Sequence, residues 1–400
     1  MQIRRLCGRE GVFSNRVLLV EPDYYTRYPP LGLLKISTLH KSQGDYVKLV
    51  RGNKDVGFEP NIVYVTSLFT YSWEAVHDAV KFYKRKYPTS KVILGGIYAS
   101  LLPDHAALSG ADEVHVGLLP DAESLRPDWD LIPEWDGSIL FASRGCVRKC
   151  GFCSVPKLEG RPSGLLFSIK HLVEPSHKRV ILWDNNILGN QNWREIFNDL
   201  AAIGKVVDFN QGVDARLVTE EVAMKLKKLK FDTLRMAYDY KGIGPAVKRA
   251  IETLSAYGIS KRKLVFYTLF NYIDTPEDFF EKVRELLSWG ATSYPMRFEP
   301  LCSLKKNAYV SPHWSEEELG MVASARRVLG FSGAFPPYEG LVKKFLRAES
   351  FHDAFKLWPR GYKKRMANRL HHTSPGEHIA KKTMRFGGNL DWRQVAISQH

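Results

Sequence analysis

Cysteine is scarce in this 400-residue sequence: there are five, and three of them fall within eight positions. So few, in an odd number, exclude a disulfide framework and point to a reducing compartment and a thiolate site. No apolar run reaches the roughly 18–20 residues a membrane helix needs, so no membrane partner is expected. The first residues, Met1 to Cys7, include Arg4 and Arg5 but no apolar stretch behind them. A secretory signal is therefore not expected, and the expected location is cytoplasmic. With 44% hydrophobic, 25% charged and 12% aromatic residues, the chain is neither disordered nor collagen-like nor mucin-like.

Acidic charge thins out toward one end. Residues 1–137 hold 16 basic and 17 acidic side chains, whereas 341–400 hold 13 basic and only 4 acidic, within a chain of net charge +15. Such asymmetry fits either a polyanionic partner such as a nucleic acid or a solvated basic face. Phe345, Phe351, Phe355, Trp358 and Tyr362 are interleaved with these charges. They could stack bases, or form a small core with the lysines outside.

The pattern along the chain is α/β. Strand-like runs at 17–20, 46–50, 62–66, 92–94 and 114–117 alternate with helical stretches at 30–40 and 73–86, which predicts a doubly wound parallel sheet over residues 1–120. Residues 121–137, rich in Pro, Asp and Trp, read as a linker. A second series follows over 138–300, with strands at 139–142, 180–183, 206–209, 234–237, 264–267 and 293–297. Helices are expected between most of them, at 193–203, 219–229, 245–257 and 276–289. Six such units predict a partial (β/α)6 barrel related to the TIM barrel, with its chemistry at the carboxyl ends of the strands. Residues 301–400 read as helical and basic.

Directly after the first strand of this second series comes Cys146-x3-Cys150-x2-Cys153. Thiolates so closely spaced select zinc or an iron–sulfur cluster. Three ligands instead of four is the informative point, because a reactive site keeps a coordination position open. The zinc alternative would need His171 or His177 as a fourth ligand. This triplet, with the aromatic Phe152 before its last cysteine, resembles the signature of the radical S-adenosylmethionine (SAM) superfamily. The flanking Arg144-Gly145 and Ser154-Val155-Pro156 resemble the branch that carries an N-terminal cobalamin-binding-like domain.

The resemblance implies that Cys146, Cys150 and Cys153 hold a [4Fe–4S] cluster whose free iron chelates SAM. One-electron reduction, by a flavodoxin- or ferredoxin-type donor, would cleave SAM to a 5′-deoxyadenosyl radical that acts on an unknown substrate. Asp184, Asn185 and Asn186 stand where the family places groups that accept from the SAM ammonium, although the familiar Gly-Gly-Glu is absent. Asp214 and Arg216, after the third strand, belong to a segment common in the cobalamin branch, and Arg216 would meet the SAM carboxylate. Asp239 would accept from ribose hydroxyls. Asn271, Arg297 and Glu299 end later strands. Any of these Asp or Asn residues could instead cap a helix.

Tyr28-Pro29-Pro30-Leu31-Gly32-Leu33-Leu34 and Gly95-Gly96 also resemble cobalamin-domain sequences, but the Asp-x-His-x-x-Gly motif that supplies a cobalt ligand is missing. His40 lies within a predicted helix among the wrong neighbours. Two readings stand: cobalamin held without a protein histidine, which favours methylation chemistry, or a domain that only packs against the barrel. Cys7 and Cys302 are too few for a second cluster, which sets the chain apart from methylthiotransferases. Cys302 reads as a buried inert thiol or a group facing the cavity.

Overall fold

The computed structural model describes residues 14–328 and 339–357. Five β-branched-rich runs form one parallel sheet from β1 (Arg16–Glu21), β2 (Tyr46–Arg51), β3 (Ile62–Ser67), β4 (Lys91–Gly96) and β5 (Glu113–Val114). Their order, β2-β1-β3-β4-β5, is that of a flavodoxin-like doubly wound sheet. Alternation along β1 assigns its two faces. Leu18 and Val20 pack with Val63, Val65 and the helix Trp73–Lys86, while Val17 and Leu19 pack with Leu33 of the helix Leu31–Ser42.

The stretch expected to be a linker is packed structure. Ser37 donates to the Asp128 carboxylate at 2.5 Å, Trp129 is buried, and Gly137 already belongs to the next strand. Six parallel strands follow: β6 (Gly137–Leu140), β7 (Arg179–Leu182), β8 (Val206–Phe209), β9 (Leu234–Ala237), β10 (Leu264–Phe270) and β11 (Thr292–Arg297). They make two three-stranded sheets, β6-β7-β8 and β9-β10-β11. Two backbone hydrogen bonds stitch the halves, from Val207 to the Lys230 carbonyl (2.7 Å) and from Val213 to that of Arg235 (2.8 Å).

Amphipathic helices cover the outer face of this series. Thr219 caps the helix Glu220–Lys227 by accepting from the Val222 amide, and Thr275 with Asp278 forms a capping box on Pro276–Ser288. Leu140, Leu182, Val207, Phe209, Leu234 and Phe266 face those helices. On the other face Ile139 and Ile181 pack with Tyr28, Leu31, Leu34 and Trp129, so the helix Leu31–Ser42 closes onto these strands. Tyr28 reinforces that junction, its hydroxyl accepting from Asn210 Nδ2 at 2.8 Å.

Among the described residues after β11, helices lie at Glu316–Val328, Glu339–Arg347 and Phe351–Phe355, and residues 298–315 form no helix. Phe345, Phe351 and Phe355 are fully buried against Phe279, Phe280 and Trp314. They form a small core and are not available to stack bases. The rest of the basic end, including Trp358, Tyr362 and residues to 400, lies outside the described residues. Among the described residues no helix is long and apolar enough to cross a membrane.

Candidate cofactor site

A cavity of about 190 Å³ opens at the carboxyl ends of all six strands of the second series. Cys146, Cys150, Phe152 and Cys153 from the loop after β6 line it. Asn185 and Asn186 after β7, Asp214 and Arg216 after β8, and Asp239 after β9 line it as well. Tyr267, Leu269, Met296, Phe298 and Leu301 supply a largely apolar wall, with Glu299 among them.

The cysteine loop turns sharply where the sequence has glycine. Gly145 sits at φ +76°, and a Cβ there would lie 2.3 Å from the Arg161 carbonyl oxygen. All three cysteines are half-buried. Burial pushes the Cys150 thiol up, and takes that of Cys153 to about 11. The Arg148 amide (3.3 Å) and Asn186 Nδ2 (3.8 Å) donate to Cys146 Sγ. The thiols share a cavity wall without being drawn to one point: among the described residues, no three His, Cys, Asp or Glu side chains form a ready-made metal site. Phe152 packs edge-on against Tyr272, which in turn contacts Phe298.

Asp184 differs from its expected role. It does not line the cavity but lies buried behind it, accepting from the Ala142 amide (2.9 Å), the Ser143 amide (2.7 Å) and the Ser143 hydroxyl (2.8 Å). It therefore pins the start of the cysteine loop. Burial raises its pKa to about 6 despite these donors. Its neighbours do face the cavity: Asn185 Nδ2 donates to Glu159 (2.9 Å), and Asn186 Nδ2 to Asp214 (3.2 Å). The Asn186 Oδ1 atom is buried with no hydrogen-bond partner.

Asp214 joins three loops. Its carboxylate accepts from Arg216 Nε (2.7 Å) and Nη2 (3.1 Å), from Arg148 Nε (2.9 Å) and from Asn186. Burial acts to raise its pKa, but the Arg216 and Arg148 hydrogen bonds outweigh it and hold the pKa low. Arg216, expected to meet a ligand carboxylate, is thus engaged within its own loop. Burial also raises Asp239 to about 6, against the pull of Lys282 and Arg216.

Other strand-end candidates are structural. Asn271, at φ +66°, is fully buried, donating to the Tyr309 carbonyl (3.0 Å) and accepting from the Ser311 amide (2.9 Å). Tyr238 donates to Glu285 (2.5 Å) away from the cavity. Cys302 is exposed and lines neither cavity, contrary to both expectations for it. His177 precedes β7, at the opposite end of the strands from the cysteines, and its Nδ1 is paired with the Ser138 hydroxyl; His171 is exposed. Neither can complete a zinc site with the cysteine loop.

A residue that sequence reasoning missed is Lys282. It is fully buried and donates to the Asp239 carbonyl (2.9 Å), the Leu269 carbonyl (2.7 Å) and Asp274 (3.1 Å), tying the β9 and β10 loops together. A lysine in phase with Phe279, Val283 and Leu286 was the available signal.

A second cavity of about 380 Å³ lies between the first sheet and the six-stranded series. Its walls include Tyr24, Ser67, Gly95 and Gly96 at the strand ends of the first sheet, with Phe141 and Trp183 opposite. Gly96, at φ +101°, approaches Ser67 so closely that a Cβ would lie 2.2 Å from its carbonyl oxygen. His115 is the one imidazole in the lining, and its Nε2 is bonded to the Leu118 carbonyl (3.2 Å). His40 is buried elsewhere, between Asp45 and Tyr64. Asn185 and Gln211 line both cavities.

No protein-family model matches the sequence, and no curated protein sequence matches it. Among solved structures, the chain is similar to a radical SAM methyltransferase, TsrM from Kitasatospora setae, determined with tryptophan substrate and the SAM analogue aza-SAM bound. The two share 14% sequence identity at a TM-score of 0.56, over 71% of this chain and 73% of that one. At this identity the likeness is one of fold, and it spans most of both chains.

Proposed function

We propose that this protein is a radical SAM enzyme that holds a [4Fe–4S] cluster on Cys146, Cys150 and Cys153 and binds SAM beside it. The observation that carries the reading is the shared cavity: three thiols and a set of polar strand-end residues meet at the carboxyl end of one parallel strand series. The residues suit the group. Three soft donors leave a coordination position open, and Asn186 Oδ1 is a buried acceptor still lacking a donor. When bound, the cluster would supply the electron that cleaves SAM to methionine and a 5′-deoxyadenosyl radical.

The chain's own residues position the parts. Asp184 fixes the backbone that leads into Cys146, and Asp214 locks Arg148 of the cysteine loop to Arg216 and Asn186. Asn186 and the Arg148 amide donate to Cys146 Sγ and so help to fix the position of that side chain. Asn185, Asn186 and Asp239 offer acceptors for the ammonium and ribose of SAM. The apolar wall from Leu269 to Leu301 excludes water from the reacting centre. An acidic flavodoxin- or ferredoxin-type carrier would deliver the electron.

The second cavity supports cobalamin as a further cofactor, and with it methyl transfer to an unknown substrate. Its size, its apolar walls and the close-packed Gly96 backbone suit a large flat ligand. The one imidazole in its lining, His115, has Nε2 bonded to the Leu118 carbonyl, and cobalamin would be held chiefly by backbone and aromatic contacts. When bound, cobalamin would supply a methyl group for transfer. Recruitment of a nucleic acid by the basic end is a separate proposal that rests on charge alone.

Anaerobic reconstitution of the full chain tests the reading. About four irons per chain, visible absorbance and reductive SAM cleavage are expected, each lost in a Cys146→Ala, Cys150→Ala, Cys153→Ala variant. A fully loaded protein that leaves SAM intact would refute it. Corrinoid analysis of the same sample tests the second cavity.

A further inference from the structure

At the amino ends of β7, β8, β9 and β10, opposite the cysteine cavity, four loops run side by side. Strand β7 pairs with β8 and β9 with β10, and the Val207 amide bonds the Lys230 carbonyl where the halves meet. Cations crowd this rim. Lys178 leads into β7 and Lys205 into β8. Lys227, Lys228 and Lys230 precede β9, and Lys261, Arg262 and Lys263 precede β10. Lys205 and Lys261 are half-buried and the other six are exposed. The same loops hold two acids, Glu174, which Arg126 bonds, and Asp232; Asp136 beside them is bonded by Arg179.

Packing accounts for half of these cations. Lys205 donates to the carbonyls of Glu174 (2.9 Å), Pro175 (2.7 Å) and His177 (2.5 Å). Lys227 donates to that of Gly258 (2.8 Å), Lys230 to Gly204 (3.1 Å) and Lys263 to Phe231 (2.7 Å). Each bond ties one loop to its neighbour, and Gly204 and Gly258 follow helices whose carboxyl ends favour a positive charge. The side chains of Lys178, Lys228, Lys261 and Arg262 make no hydrogen bond among the described residues, although Lys178 lies near the Asp136 charge. Like charges held this close repel, and the rest of the chain does not offset them. Residues outside the described ones carry 12 basic and 3 acidic side chains, so the counter-charge has to come from outside the chain.

The surroundings narrow what supplies it. No large apolar side chain is exposed in these loops. A protein partner would want an apolar interface core and a bilayer an inserting side chain, whereas a phosphodiester backbone is held by charge and N–H donors. Lys227, Lys230 and Lys263 each spend one N–H on a carbonyl and keep two for phosphate oxygens. Four adjacent strands span about 15 Å, over which one nucleic-acid strand presents about four phosphates.

We propose that the amino-end rim of β7 to β10 binds the phosphodiester backbone of a nucleic acid. This surface is separate from the basic end of the sequence and independent of the cofactor reading. Because the cavity opens at the other ends of the same strands, the rim anchors the protein on a polymer and does not present a base to the cysteines.

The test is fluorescence anisotropy of the full chain with a labelled single-stranded RNA of about 20 nucleotides and mixed sequence. Affinity should fall with salt at a log–log slope of about −3, that of four neutralised phosphates on a single strand. Lys228→Glu, Lys261→Glu and Arg262→Glu together should weaken binding at least tenfold and make the slope shallower by about 2. Lys228→Arg, Lys261→Arg and Arg262→Lys together should keep the affinity. The thermal midpoint of the triple reversal should hold or rise, since repulsion is relieved. A fall would show that the fold already satisfies these cations, and would overturn the proposal. Unaltered affinity in the triple reversal, salt-independent affinity, or no binding at micromolar protein would overturn it as well. So would loss of binding on Lys363→Glu, Lys364→Glu and Arg365→Glu but not on the rim reversal, since the basic end would then be the site. Phosphatidylserine vesicles bound more tightly than RNA, and released by the rim reversal, would assign the rim to a membrane and refute the nucleic acid. None of these measurements needs iron or SAM, so the rim assignment and the cofactor reading stand or fall separately.

Discussion

Replacing Asp184 by alanine should destabilise the protein in a pH-dependent way whose sign the structure fixes. The substitution leaves the Ala142 and Ser143 amides and the Ser143 hydroxyl without their acceptor in a buried setting. At about 1 kcal/mol or more for each orphaned donor, the loss is on the order of 3 kcal/mol near pH 5. Burial has raised the folded-state pKa of Asp184 from 3.8 to about 6, so between those values the folded protein binds more protons than the unfolded chain. The wild type therefore gains stability from this group at low pH and loses it as pH rises through about 6. Between pH 5 and pH 8 that loss is about 1.4 kcal/mol, and D184A, lacking the group, does not share it. The penalty of the substitution should accordingly be about 1.4 kcal/mol smaller at pH 8 than at pH 5. Urea unfolding of both proteins at the two pH values measures this difference. A penalty that stays constant, or grows with pH, would refute the placement of a buried, proton-binding Asp184 behind the cysteine loop.

Gly145→Ala should impair the cysteine loop, since a left-handed alanine costs about 1–2 kcal/mol before its clash with Arg161 is counted. Reduced iron loading at near-normal circular dichroism would show it. Lys282→Met should cost about 3–5 kcal/mol by leaving Asp274 buried without its partner, read as a fall in the urea midpoint. Tyr28→Phe removes the Asn210 hydrogen bond between the segment before the helix Leu31–Ser42 and the loop after β8 and should cost about 1 kcal/mol, with hydrogen exchange rising at that junction.

The alternation of strands and helices was legible in the sequence because β-branched runs and helix caps are local signals. The helix at 73–86 and the strands at 206–209 and 234–237 have the expected bounds. Strand β6 lies two residues earlier than expected. The amides of Ala142, read as strand, and of Ser143, just after it, donate to the Asp184 carboxylate, a partner 41 or more residues away that no local pattern discloses. The last strand of the first sheet ends at Val114, well before Gly117, which adopts φ +88°.

The cysteine spacing pointed to the loop that lines the first cavity. The direction in which each strand-end side chain points did not follow from sequence. Asp184 turns inward while Asn185 and Asn186, its immediate neighbours, reach the cavity. Asn271 was equally plausible by position and proves to be scaffold. The aromatic spacing at 345, 351 and 355 fitted both a nucleic-acid surface and a core, and only packing against Phe279 and Trp314 separates the two.

Because Asn185 and Gln211 each present a side to both chambers, the two compartments have a party wall instead of a solid floor between them. A change at either residue would disturb the occupants of both at once. Adaptation of one chamber to a new molecule is thereby constrained by what the other must keep, so variation should collect on the outer walls before it reaches this pair.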